Sequence, residues 1–478
     1  MNYLSWTFYI FVLILALIYY IIPQKFKWYA LLAGSIYFYY ALSGSLKTLF
    51  IFLVEILIGY FSGILIEKYG GCKYGRVLTA FLIALCIIPL ICIKIRLNII
   101  IRYSFIITVG ISYYTLQMIS YIADIYMKKI SAQKNPLKYI LYMSFFPQIV
   151  QGPIPRYKDL SSALFDGNKF EAENIIRGIE LIIWGFFLKY MIADRASIVV
   201  DQIFTTYEEL PGAVIGLGGI LYSIQLYADF LACVTISQGI AEIFGIRLSD
   251  NFKRPYFAPS IRDFWRRWHM SLSFWLRDYI YIPLGGGKKG IIRRYINLII
   301  TFVISGFWHG NGLNYLAWGL LHAFYQIIGG FTWKTRNRIW DKTGLKSTSV
   351  PVRILRALGT SFLAMIAWIL FRAENLTQGI RMIQLMFEKL EFEQIRNMGL
   401  VVKVGAFIGP REWYVLIISV FILLIISIIQ SKIEIRSWLK GKPMILRGVA
   451  GAVLIMVVFV FGSYGYGFEA ADFIYGGF

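Results

Sequence analysis

Residues 413–431 read WYVLIISVFILLIISIIQS, a stretch with no charged side chain. A helix of that length rises about 28 Å, close to the ~30 Å hydrocarbon core of a bilayer. Comparable apolar runs recur along the chain at 4–22, 28–43, 48–66, 77–93, 105–124, 174–192, 211–245, 354–371 and 445–462. The pattern predicts an all-α, polytopic transmembrane helical protein of about 10–12 membrane helices. We read it as a single integral domain: N-terminal helices over 4–245, a central core over 246–331, and C-terminal helices with a tail over 354–478. Of the 478 residues, 58% are hydrophobic and 15% are charged, where a soluble chain carries about 25% charged residues. That excludes a secreted disulfide scaffold, a disordered chain and a soluble enzyme on one anchor.

Lys and Arg number 48 against 26 Asp and Glu, a formal charge of +22. In a soluble protein such an excess would point to nucleic acid. Here the basic residues concentrate in short loops beside apolar runs, which is the positive-inside pattern. Membrane lipids are therefore expected partners and nucleic acid is not. The run 4–22 lacks a basic segment before it and a small-residue cleavage site after it, so it reads as a retained span. Lys25, Lys27, Lys73 and Arg76 set the first loops inside and the N-terminus outside. The basic stretches 334–356 and 432–447 are also cytoplasmic on this reading, and the tail with Tyr475 and Phe478 is outside. Lys94, Arg96 and Arg102 fall on the wrong side of this scheme. The four cysteines form no CxxC pair, so neither a disulfide framework nor a metal site is expected.

Two segments do not fit single spans. The first, 139–153, runs into SFFPQIVQGPIP, whose Pro147, Pro153 and Pro155 with Gly152 forbid a regular spanning helix. Such backbone is tolerated at membrane depth only where protein or a water-filled cavity satisfies it. We read it as a re-entrant element, with a plain cytoplasmic loop as the alternative. The segment 296–331 has Arg293 and Arg294 before it and Lys334 and Arg336 after it, so it must cross an even number of times. It is too short for two full crossings and is expected to form a short hairpin with its apex at Trp308-His309-Gly310-Asn311-Gly312.

The only histidines in the chain, His269, His309 and His322, all fall in this central region. Intramembrane ionisable groups are costly and point to function by default. A neutral imidazole is a suitable general base near pH 7; the structural alternative is a ring satisfied by a backbone carbonyl between packed helices. His309 and His269 are the catalytic candidates, and His322 reads first as structural. If 262–275 is one helix, Arg262, Arg266, His269 and Ser273 share a face, and Trp265, Trp268, Leu272, Trp275 and Tyr279 form an apolar stripe. Such a helix would lie at the interface, and its arginines could hold phosphates of an acyl carrier. The loop Leu284 to Gly290 lacks the P-loop pattern and reads as a flexible turn. Asp229 is an intramembrane acid with a structural or cavity role. No GxSxG elbow, HxxxxD or HExxH motif is present, so catalysis would have to use histidine.

Taken together, DNFKRPYFAPSIRDFWRRWHMSLSFWLRDYIYIPLGGGKKG (250–290) and SGFWHGNGLNYLAWGLLHA (305–323) resemble the membrane-bound O-acyltransferase family, in its bacterial alginate O-acetylase-like branch. ITVGISYYTLQMISYIADIY, SFFPQIVQGPIPRY and WILFRAENL match the same branch. The resemblance implies a ring of helices around a catalytic cavity, with an acyl donor reaching it from the cytoplasm and the acceptor from outside. It implies His309 as the catalytic histidine and His269 as the second active-site position. Arg262, Arg266, Ser273, Trp308, Asn311, Asp229 and His322 are then the donor- or cavity-binding candidates. No bound cofactor is implied. The donor would be acetyl-CoA or an acyl carrier thioester, the acceptor an extracytoplasmic polysaccharide, and the setting the bacterial plasma membrane. The segment 227–239, YADFLACVTISQG, departs from the relatives' YxDFxGYSxxAxG. The terminal FIYGGF resembles an F-x-Y-x-x-F tail in which Tyr475 takes the acyl group before an SGNH-type transferase partner passes it on; an aromatic interfacial anchor is the other reading. D-alanyl transfer to teichoic acid is the alternative within the family, and a polysaccharide exporter or flippase the alternative outside it.

Overall fold

The computed structural model describes residues 1–95, 108–344, 346, 348–388, 405, 407–464 and 473. Arg96, Arg102, Tyr475 and Phe478 lie outside the described residues. The described secondary structure is helical throughout. The expected spans fall on helices, most with ends shifted by a few residues: Leu46–Tyr69 for 48–66, Gly212–Ile243 for 211–245, Pro410–Ile429 for 413–431. The span 105–124 is a helix from Ile111, its residues 105–107 lying outside the described residues, and 174–192 is Ala172–Phe186 continued by a π-helical turn. Among the described residues, seven helices are long and apolar enough to cross a membrane. One of them, Ile291–His309, belongs to the segment expected to be a short hairpin. The chain clusters into two compact units, residues 1–182 with 233–250 and residues 183–232 with 251–477.

In the first unit, close packing follows from small residues. Gly59 and Gly63 lie one turn apart on Leu46–Tyr69. A Cβ at Gly59 would meet Tyr139 Oη and Met118 Sδ, and one at Gly63 would meet Tyr121. This is the small-xxx-small spacing that lets helices approach where lipid gives no hydrophobic drive. Of the segment 139–153, the first six residues complete the helix Pro136–Ser144, and the proline-rich remainder is non-helical as expected. It is also buried, with Phe145 and Phe146 at 0% exposure, which excludes an exposed loop. Protein groups satisfy its backbone: Phe146 N–H donates to Ser35 Oγ at 3.2 Å, and Tyr3 Oη donates to Phe146 O at 2.8 Å.

In the second unit, the central hairpin differs from expectation in length. Its arms are Ile291–His309 and Leu313–Phe331, each of 19 residues. Each rises about 28 Å, so the arms are near full crossing length rather than short. The first helix begins in the basic flank itself, at Ile291 beside Arg293 and Arg294, which supplies the extra turn. The turn falls at Gly310–Gly312, inside the expected apex. The arms close through glycines: a Cβ at Gly319 would strike the Phe302 carbonyl, and one at Gly306 the Tyr315 carbonyl. Backbone cannot swing aside as a side chain can. Gly319→Leu is therefore expected to cost about 3 kcal/mol, the upper end for overpacking, read as a lower Tm of the detergent-solubilised protein; an unchanged Tm would contradict the glycine contact.

The second correction concerns 262–275. It is not one helix. Ile261–Trp265 ends after five residues, a turn follows, and Met270–Leu276 begins a new helix. His269 sits at the break with φ +42°, a left-handed conformation uncommon outside glycine. Arg262 and Arg266 are exposed while His269 is buried, so the four residues share no face. The tryptophans turn inward as well: Trp268 stacks on Phe264 and packs on Trp368, with ring centroids 5.5 and 5.0 Å apart.

Candidate active site

The geometry of the site begins with the break at His269. The first free N–H groups of Met270–Leu276 need acceptors. Asn251 supplies two: its carbonyl accepts from Met270 N–H and its side-chain oxygen from Ser271 N–H, both at 2.9 Å. Lys253 N–H donates to Arg267 O at 2.9 Å, tying the same upstream segment to the turn. Ser273 Oγ donates to the Trp268 carbonyl at 3.1 Å and so serves the turn itself. His269 is held 1% exposed with Phe230 edge-on at 4.7 Å. It lies outside the spanning helices, and burial pushes its imidazole down to about 3; the ring is neutral at physiological pH. Asn251→Ala should cost about 1 kcal/mol as a lost cap and lower activity more than stability, because the His269 turn loosens. Asn251→Asp, which keeps the acceptor, should retain both; equal losses in the two variants would refute the capping role.

His309 is the last residue of Ile291–His309 and is 3% exposed. Asn297, Thr301, Ser305 and His309 recur every fourth residue, and all four are buried. Beyond the basic first turn, this gives the helix one polar face. Asn297 Nδ2 donates to the carbonyls of Leu284 and Gly286 at 3.2 and 3.0 Å, which pins the glycine-rich loop expected to be flexible. At the tip, Asn314 Nδ2 donates to Ala373 O at 2.9 Å. Asn311, the cavity candidate from sequence, is exposed on the turn; the buried amide is Asn314.

The structure joins the three histidines through two indoles. The Trp308 ring lies 6.3 Å from His269 and 4.8 Å from His309. Trp318 lies 5.1 Å from His309 and 5.1 Å from His322. Phe371 closes on His309 at 5.2 Å. His322 is 0% exposed, and its Nδ1 accepts from Trp265 Nε1 at 3.2 Å. The polar stripe of Ile291–His309 and the spacing Asn314, Trp318, His322 are visible in the sequence as periods of four.

Asp229 is buried elsewhere in this unit, on the helix that also carries Phe230. Lys189 bonds it and Asp194 at 2.8 Å each, all three side chains being at most 2% exposed. Lys189 lies in the π-helical turn Phe187–Ala193, a distortion frequent at functional sites. No sequence signal paired it with Asp229, 40 positions away. Phe473, at the start of the tail motif, sets its ring 4.7 Å from the Lys189 ammonium.

Residues 128–363 match the model of the MBOAT, membrane-bound O-acyltransferase, family. That stretch is a membrane-bound O-acyltransferase family domain. It is 33% identical over 318 residues to a Pseudomonas fluorescens protein named "Probable alginate O-acetylase", covering 64% of this chain and 62% of that one. To a Helicobacter pylori peptidoglycan O-acetyltransferase it is 34% identical, over 58% of this chain and 56% of the relative. To a Bacillus subtilis teichoic acid D-alanyltransferase it is 34% identical, over 49% and 60%. The match to these O-acyltransferase relatives thus spans about three fifths of their length. The family-matched stretch, 128–363, contains His269, His309 and His322.

Proposed function

We propose that this protein is an integral membrane O-acyltransferase that carries an acetyl group from a cytoplasmic donor to hydroxyl groups of an extracytoplasmic polysaccharide. The observation that carries the reading is the buried His309 at the hairpin tip, linked through Trp308 to a second buried, neutral histidine. His309 acts as general base, taking the proton of the accepting hydroxyl as its oxygen attacks the acyl carbonyl of a thioester. Surrounding aromatic rings exclude water, which favours transfer over hydrolysis of the donor. The stripe Asn297, Thr301, Ser305 runs about 18 Å from the basic end of the hairpin to His309, and supports entry of the donor, acetyl-CoA or a carrier thioester, from that end. Arg262 and Arg266, exposed on the preceding turn, are candidates for its phosphates.

The tail reading goes with it: Tyr475 accepts the acyl group and an SGNH-type partner passes it to the polymer. The named activities of the relatives support acetyl as the acyl group and keep D-alanine as the second reading. The test is purified protein in vesicles given an isotope-labelled acetyl thioester on one side and polymer on the other. Label on the polymer hydroxyls is expected. Transport of unmodified polymer without label would replace the enzyme by an exporter, and label from D-alanyl donor alone would change the acyl group.

A further inference from the structure

Two buried donors, one on the ring that packs against His309 and one a turn further along the same helix, meet no acceptor among the described residues. Trp318 is 0% exposed, and its Nε1 hydrogen meets no hydrogen-bond partner among the described residues. His322 accepts the Trp265 indole hydrogen at Nδ1. A nitrogen that accepts carries no hydrogen, so the neutral ring keeps its proton on Nε2. That second N–H is also without a partner among the described residues. Around Trp318 stand the rings of Trp368, at 5.9 Å, and Phe371, at 5.3 Å. Around His322 stand Phe302 and Tyr325, each at 6.0 Å. Buried donors are almost always paired, and an unpaired one lowers stability without return. Here two occur on one helix, one turn apart, with Trp318 touching His309.

We infer that Trp318 Nε1 and His322 Nε2 bind the carbonyl oxygen of the acyl group and stabilise the oxyanion it becomes. The inference rests on the acyl-transfer reading above. In the first half-step the hydroxyl oxygen forms a bond to the acyl carbon, the C=O electron pair moves onto the carbonyl oxygen, and His309 takes the hydroxyl proton. In the second the pair returns, the C–S bond breaks, and His309 gives the proton to the leaving thiolate. The two donors keep their hydrogens throughout. An indole N–H suits this task because it donates and cannot compete as a base. Trp265 is a positioning residue: its bond to Nδ1 fixes the tautomer that turns an N–H, rather than a lone pair, toward the oxygen.

Trp318→Phe deletes the N–H and keeps an aromatic ring. Its kcat for acetyl transfer is expected to fall by about 10²–10³-fold, as when one oxyanion donor is removed. Affinity for a phosphonate mimic of the tetrahedral intermediate should fall with it, while affinity for the thiol product should not. Trp265→Phe should lose less, because His322 then keeps the required tautomer part of the time. If Trp318→Phe does not fold, replacing Trp318 by benzothienylalanine, which puts sulfur in place of N–H in a ring of the same shape, decides the matter. Either variant retaining wild-type kcat and phosphonate affinity overturns the inference, provided His309→Ala is inactive. Absence of acyl transfer by the unmodified protein would instead overturn the functional reading.

Discussion

Replacing His309 by alanine is expected to lower polymer acetylation by about 10²–10⁴-fold, the range supplied by a positioned general base. The ring sits at the very end of its helix, so its removal breaks no backbone bond: Gly310 N–H still donates to Gly306 O at 3.2 Å. It does leave a gap between Trp308, Trp318 and Phe371. Tm should therefore drop modestly while activity drops by orders of magnitude. His309→Gln, which fills the gap and still bonds, should recover Tm but not activity. The measurement is acetyl release and polymer label by mass spectrometry alongside thermal unfolding. Activity of either variant near wild type would remove His309 from the chemistry.

The largest expected effect on stability lies at Lys189. Its ammonium is shared by Asp194 and Asp229 in a site at most 2% exposed. Lys189→Met would leave two carboxylates buried without a counter-charge, and breaking such a pair costs about 3–5 kcal/mol. The same principle makes a sharper prediction. Removing all three charges together, as Lys189→Met with Asp194→Asn and Asp229→Asn, should recover most of the loss, because the desolvation cost disappears with the attraction. Thermal unfolding of the single and triple variants in one detergent decides it. A triple variant as unstable as the single one would mean that the cluster does more than balance its own charge. Loss of the tail contact between Phe473 and Lys189 would then be the first thing to examine, by protease access to the C-terminus.

The spans were legible because apolar length is a one-dimensional property: the run 413–431 needs no partner to be read, and the structure moves its ends only to Pro410 and Ile429. The hairpin was legible for the same reason, through its basic flanks, although counting from the apolar core shortened the first arm by the turn that carries Arg293 and Arg294. The face shared by Arg262, Arg266, His269 and Ser273 was not. Those residues have helical spacing, but spacing cannot register an acceptor that arrives from elsewhere. Asn251, upstream, offers a cap that a continuous helix would not need, and the chain takes a left-handed turn at His269 to use it. Lys189 with Asp229 was hidden likewise, since nothing local marks two groups that meet only after packing. Trp268, expected on the apolar stripe of an interfacial helix, instead packs inside the protein, where its ring stacks on Phe264.

The alternation His269, Trp308, His309, Trp318, His322 carries a genetic consequence. Each ring rests on the next, so a change at one alters the seat of its neighbours. Paired substitutions among these positions should show epistasis: effects that depart from the sum of the singles by about 0.5–3 kcal/mol, as for residues in contact. A drift from tryptophan to phenylalanine at 318 would thus be tolerated or fatal according to what already stands at 308 and 322. The five positions would travel through mutation as one inherited block.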